Sequence, residues 1–215
     1  MKKLLFPIAI LVVLGIVVFF MAPTNTAKNE PPIYNPADLN PALVDLSMQK
    51  MIANHTVAPF SLINQNGDTI SEKDYTNTIY VTDFFFTRCP SICPVMTNNM
   101  ERLQKVFLAD NDVKLLSISV TPVMDSVSVL YNYASRNGAN APKWNITTGN
   151  KKHIYNLARK SYFAVVDEGD GGLQDFIHTP NFVLVDKQKQ IRGIYDGTKE
   201  EEITRLISDI RRLQH

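Results

Sequence analysis

Only two cysteines occur in this 215-residue chain, so no framework of several disulfides holds it together and its stability must come from a hydrophobic core. Charge of either sign is not in excess. Lys and Arg number 22 against 21 Asp and Glu, a formal net charge of +1, and without Lys2 and Lys3 the remainder is close to neutral. A basic nucleic-acid surface is therefore not indicated. The 9 glycines and 12 prolines form neither a G-X-Y period nor a Gly/Ser tract. No repeat of roughly 20–50 residues is evident either, which excludes collagen-like, low-complexity and solenoid classes. What is present, 45% hydrophobic and 20% charged residues, fits one domain with an appendage.

The appendage is the single long apolar run. Leu4 to Met21 carry no charge, and as a helix they would measure about 27 Å against a hydrocarbon core of roughly 30 Å. Lysines before the run and none within it place the body outside the cytoplasm by the positive-inside rule. Residues 1–22 are thus expected to be a single transmembrane helix in the cell (inner) membrane, with the soluble part on the periplasmic or extracytoplasmic side. A cleaved signal peptide is the rival reading, but Asn25-Thr26-Ala27 is a poor cleavage site. No cysteine follows the run to accept a lipid. Residues 23–42, with Pro23, Pro31, Pro32, Pro36 and Pro41, read as an extended spacer, and residues 43–215 as the folded domain.

Within the domain, strand-like runs on either side of Asn66-Gly67 predict an opening β-hairpin. Thr78 to Phe86 is a β-branched and aromatic run interrupted only by Asp83, as for a central strand buried on both faces. Helical spacing follows Cys93, then a second buried strand over Val113–Val120. A helix over Ser126–Ser135, a strand at Trp144–Thr147, a helix over Lys151–Lys160 and a short strand at Phe163–Val166 come next. Asp167 to Asp175 reads as a mobile, solvated loop. Phe182–Val185 and Ile191–Tyr195 form a hairpin, and Lys199–Leu213 an amphipathic closing helix. Alternating β and α units of this kind imply an α/β sandwich around a mixed sheet.

The two cysteines, Cys89 and Cys93, stand in Cys-Pro-Ser-Ile-Cys-Pro where a central strand meets a helix. Free N–H groups and the dipole at a helix start favour an anion, so a thiol there is acidified. One helical turn separates Cβ atoms by about 5–6 Å, more than the 3.8 Å or so of a disulfide, whereas a metal bridges the wider gap. Metal binding is favoured and redox cycling remains open. A third ligand is needed. Of His55, His153, His178 and His215, His178 stands out, because it precedes a buried strand and lies beside Pro180. In thioredoxin-like folds a proline at such a strand head, commonly cis, packs against the dithiol loop, which would bring His178 to the cysteines. Two thiolates and one imidazole are a soft set suited to Cu(I). Asp83 is placed to tune the thiols, Met96 is core filler before it is a thioether ligand, and His55 and His153 read as surface residues.

At these residues the chain resembles the Sco/SenC family of thioredoxin-fold, membrane-anchored copper proteins. The resemblance is carried by Asp83 to Pro94, by Leu116-Ser-Ile-Ser-Val-Thr-Pro122 with Asp125, and by the His178 segment with Asp196-Gly197. Ser91 and Thr121 replace the Asp found there in many members. The resemblance implies that Cys89, Cys93 and His178 bind copper, Cu(I) or Cu(II), for the CuA site of cytochrome c oxidase subunit II or another exported copper protein. It also implies reduction of that partner's cysteines. A plain thiol-disulfide oxidoreductase, and more remotely a peroxidase, are the enzyme alternatives.

Overall fold

The computed structural model describes residues 30–44, 48–52, 55–165, 169, 171–172 and 174–214. The expected transmembrane run and His215 lie outside these residues. Among the described residues no helix is long and apolar enough to cross a membrane.

The predicted hairpin is formed by β1 (Ser61–Asn64) and β2 (Thr69–Ser71). Gly67 at its turn has φ +87°, a conformation that glycine enters without a Cβ clash. The Asn64 side chain accepts the N–H groups of Asn66 and Asp68, completing the turn. β3 (Ile79–Phe85) is buried at every position, Thr82 and Asp83 included, as expected of a central strand covered on both faces. It pairs parallel with β4 (Val113–Ser119) and antiparallel with β6 (Asn181–Val185). With β5 (Trp144–Thr148) and β7 (Ile191–Asp196) the sheet has the order β2-β1-β5-β4-β3-β6-β7.

Alternation along β3 divides the core. Ile79, Val81 and Phe85 face a layer built by α1 (Ile92–Val106), α2 (Val127–Arg136) and α4 (Glu200–Leu213), with Met96, Leu103, Leu130 and Leu206 fully buried. Tyr80 and Phe84 face the opposite layer, where α3 (Lys151–Asn156) supplies Ile154. Met96 is wholly buried in the first layer, so its thioether is core.

Four expectations are corrected. The helix predicted over Lys151–Lys160 ends as α3 and continues as a π-helical turn, Leu157–Ser161. No strand follows at Phe163, because that residue has φ +49°, which breaks the extended path. The Ala164 carbonyl is instead taken by the Thr179 hydroxyl and the Asn181 amide. Residues 30–42, expected as part of an extended spacer over residues 23–42, lie against the domain. Tyr34 N–H donates to the Ile191 carbonyl at 2.8 Å, and buried Arg192 reaches the Pro31 carbonyl. His55 is no surface residue: it is buried on the Phe163 ring with Nε2 2.8 Å from the Ser161 carbonyl, and His153 is partly buried.

Candidate metal centre

Strand β3 ends at Phe85, and the turn that follows carries Cys89 before α1 begins at Ile92. One buried carboxylate shapes that turn. Asp125 accepts the Thr87 N–H at 3.2 Å, the Thr87 hydroxyl at 2.6 Å, the Ser119 hydroxyl at 2.6 Å and the Thr121 hydroxyl at 2.9 Å. It therefore ties the cysteine turn to the end of β4. The sequence marked Asp125 only through the resemblance; its hydrogen-bonding role needed the two strand ends to meet.

Cys93 is helical but Cys89 is not, so the thiols are not one regular helical turn apart. The difference has a chemical consequence. Ser91 occupies the N-cap of α1 without a side-chain cap bond, and the Cys89 sulfur fills that role. Burial pushes the Cys89 thiol up, but the N–H groups of Cys93 and Ser91, then the Cys93 thiol and the His178 ring, bring it down to about 6. Burial pushes Cys93 up to about 12, against the pull of the Phe86 backbone. One sulfur is thus a thiolate at neutral pH and its neighbour a thiol. Both cysteines are free and buried. Alkylation of the reduced chain, followed by mass spectrometry, is expected to modify Cys89 at a rate that rises through about pH 6 and then levels. Cys93 should stay unreactive throughout the neutral range.

His178 reaches the same place from 89 residues away: its Nε2 lies 3.8 Å from the Cys89 sulfur. The ring is exposed and is flanked by Phe86 and Phe176 at centroid distances of 6.0 and 6.5 Å, the latter nearly parallel. The segment before it is pinned. Arg159 donates both Nη groups to the Asp175 carboxylate, at 2.6 and 2.7 Å, and Gly171 N–H adds a third bond. Arg159 holds that carboxyl below the usual range. Asp175 is therefore neither solvated nor free to act as a hard-cation ligand, while Asp167 and Asp170 lie outside the described residues. Nothing in the spacing of Arg159 and Asp175 marked them in advance.

Pro180 heads β6 as expected, and its carbonyl accepts the Gly197 N–H at 2.7 Å. Its peptide bond is trans; the one cis bond among the described residues is Ala141–Pro142. Gly197 is needed where it stands, because an added Cβ would lie 2.5 Å from the Phe182 ring.

Asp83 is buried in β3 on the Cys93 side of the sheet. Burial pushes its carboxyl up to about 7, although the Ser117 hydroxyl donates to it at 2.5 Å and is itself held by the Trp144 N–H. Because this value is raised on folding, ionisation of Asp83 costs stability, from its unfolded value near about 4 up to about 7, and the cost is constant above. Asp83→Asn is therefore expected to gain in urea midpoint over wild type between pH 5 and 8 and to match it near pH 4. Equal midpoints across that range would refute the assignment.

Among the described residues, no group of three or more His, Cys, Asp or Glu side chains is drawn into a ready-made metal cage. What the described residues do bring together is the Cys89 sulfur with the His178 ring and the Cys93 thiol as its hydrogen-bond neighbours. They suit a soft, low-coordinate metal, with the sulfurs shielded from water and the ring accessible for exchange.

A family model described as SCO1/SenC matches residues 49–215. The chain belongs to the SCO1/SenC family. It is 34% identical over 160 residues to the SCO1 protein homolog of Bacillus subtilis (strain 168), covering 74% of this chain and 82% of that one. A SCO1/SenC family lipoprotein from Bacillus anthracis superposes with TM-score 0.66 at 29% identity, over 77% of this chain and 99% of that one. BsSco, a Sco-family cytochrome c oxidase assembly protein in which a disulfide switch was identified, gives TM-score 0.63 at 33% identity, over 76% and 96%. Arabidopsis thaliana ScoI with copper bound gives 0.58 at 25%, over 74% and 98%. The α/β thioredoxin-like fold with a mixed central sheet is that of the Sco structures, and copper is bound within the family.

Proposed function

We propose that this Sco-family chain is a membrane-anchored copper metallochaperone. Cys89, Cys93 and His178 bind one copper, as Cu(I) or Cu(II), and deliver it toward the CuA site of cytochrome c oxidase subunit II or another exported copper protein. The observation that carries this reading is the approach of His178 Nε2 to the ionised Cys89 sulfur at 3.8 Å, made by residues far apart in sequence. Copper would add Lewis acidity to that soft donor set. The chain's own part is to supply a thiolate before the metal arrives, to lose the Cys93 proton on binding, and to keep the imidazole at the surface where a recipient's ligand displaces it. Asp83 beneath Cys93 and Pro180 beside His178 support the ligands without contacting metal. Residues 1–22 anchor the chain, with the domain on the extracytoplasmic side; the lipoprotein relative also points to membrane association.

A second reading is favoured by the unequal thiols. A thiolate at Cys89 beside a protonated Cys93 is the state needed to attack a partner's disulfide, with Cys93 then closing the internal bond and releasing the partner reduced. The disulfide switch of BsSco is in keeping with it.

Titration of the reduced full chain with Cu(I) and Cu(II), followed by absorption and EPR, separates the two. One tightly held copper per chain is expected. No specific binding sinks the metallochaperone and leaves dithiol exchange as the function.

A further inference from the structure

Beside the cysteine turn lies an open groove of about 470 Å³ whose walls include Phe86, Val120 and Tyr155. Its rim is apolar and strongly exposed: Val123 at 89%, Met124 at 56% and Phe176 at 53%. Isolated exposed apolar side chains are ordinary, but three on one rim form a contiguous patch, and such patches mark interaction surfaces.

The patch is held out by structure. Val123 and Met124 sit in a tight turn in which the N–H groups of Met124 and Asp125 both donate to the Thr121 carbonyl at 2.9 Å. Asp125, with its four donors, anchors the base of that turn. Phe176 follows Asp175, which Arg159 grips. The apolar side chains are thus presented on two braced segments, so they do not fold back to cover themselves.

The charge on the groove has one sign. Asp175 is the one carboxylate in its described lining, and it is already neutralised by Arg159. Arg88 is exposed at the same rim, and among the described residues its guanidinium meets no carboxylate, only the Met124 sulfur at 3.9 Å. The groove therefore complements a surface that is apolar with an acidic group beside it. It is also continuous with the metal centre: Arg88 precedes Cys89, and Phe86 and Phe176, whose rings lie 5.1 Å apart, flank His178.

We propose that this groove is the docking surface for the polypeptide that receives copper from the site. The recipient seats an apolar side chain among Val123, Met124 and Phe176 and sets a carboxylate against Arg88. This rests on the metallochaperone reading and adds to it the chemistry by which the recipient is recognised. A protein docked there covers the exposed edge of the site and brings its own ligands to His178, the donor most open to exchange.

The test uses the full chain in detergent, copper-loaded, with the apo CuA domain of cytochrome c oxidase subunit II as the probe. Three chains are compared: wild type, the double variant Val123→Asp/Met124→Asp and Arg88→Glu. Val123 and Met124 are exposed and contribute no metal donor, so the double variant should load one copper with wild-type affinity. Transfer to the probe, followed by stopped-flow absorption, should then fall at least 10-fold in second-order rate for both variants. The wild-type rate should fall with added salt, and the Arg88→Glu rate should not. Variants that load copper and transfer it at the wild-type rate overturn the groove while leaving the metallochaperone intact. A wild type that binds no copper overturns the metallochaperone instead. The groove is then scored by disulfide exchange with the oxidised probe: a 10-fold slowing in both variants upholds it and an unchanged rate overturns it. Sedimentation that shows a wild-type dimer lost in the double variant assigns the groove to a second copy and also overturns the proposal.

Discussion

Replacement of His178 by Ala is expected to weaken copper binding about 100-fold or more while leaving the fold and the thiols in place. Substitutions that merely orient a metal ligand cost about 10–100-fold, and removing a donor from a three-donor set should cost at least the upper end of that range. The side chain is exposed and, among the described residues, its one polar contact is the 3.8 Å approach to Cys89, so its loss should change stability by no more than about 0.5 kcal/mol. Nor does the Cys89 thiolate depend on it alone, because the N–H groups of Cys93 and Ser91 act more strongly than the ring. Competition titration against a chelator of known affinity, run beside an alkylation assay, checks both halves. Copper affinity unchanged in His178→Ala would remove the imidazole from the ligand set.

Asp175→Ala should be the most destabilising single change near the centre, at about 3–5 kcal/mol, because it leaves a buried guanidinium without its counter-charge. The Arg159 and Asp175 side chains are only 6% and 7% exposed, so solvent screens the pair little. A domain of this size is stable by about 5–15 kcal/mol, so the loss is a large part of the total. It should act on the site as well. The carbonyl of Asp175 receives the Lys151 ammonium at 2.8 Å and the Tyr155 hydroxyl at 3.1 Å, and the chain then runs through Phe176 to His178. Loosening this segment should therefore weaken copper binding too, though less than removing His178. Urea denaturation measures the first effect and copper titration the second. The double change Arg159→Met/Asp175→Leu, which removes both charges, should recover most of the stability. If Asp175→Ala unfolds at the wild-type urea concentration, the pair is not the brace described.

The elements that could be read in advance share a physical property: their signal is local. The largely apolar run of β3, the Asn66-Gly67 turn, the helical spacing after Cys93 and the amphipathic α4 are each signals carried by a short segment. The misread elements depended on groups supplied from elsewhere. Phe163 looks like strand material, but its positive φ persists because the next carbonyl is held by Thr179 and Asn181. His55 looks like a surface histidine until Ser161 and Phe163 close over it. The prolines of residues 23–42 suggest an extended spacer, yet the backbone at Pro31 and Tyr34 finds partners in Arg192 and Ile191 at the sheet edge.

The candidate metal centre divides in the same way. Sequence alone supplied the candidate donors, two cysteines flanked by prolines at a strand-to-helix junction and a histidine ahead of a buried strand, because thiol and imidazole chemistry belongs to the residue. Only the tertiary structure decided that Cys89 precedes the helix and takes its N–H groups while Cys93 lies within it and keeps its proton. It also decided that Asp125 and the Arg159–Asp175 pair hold the two segments in place. The reason is that acidity and position come from burial, hydrogen-bond direction and through-space charge, and these exist only once β3, β4, β6 and α3 bring distant residues together.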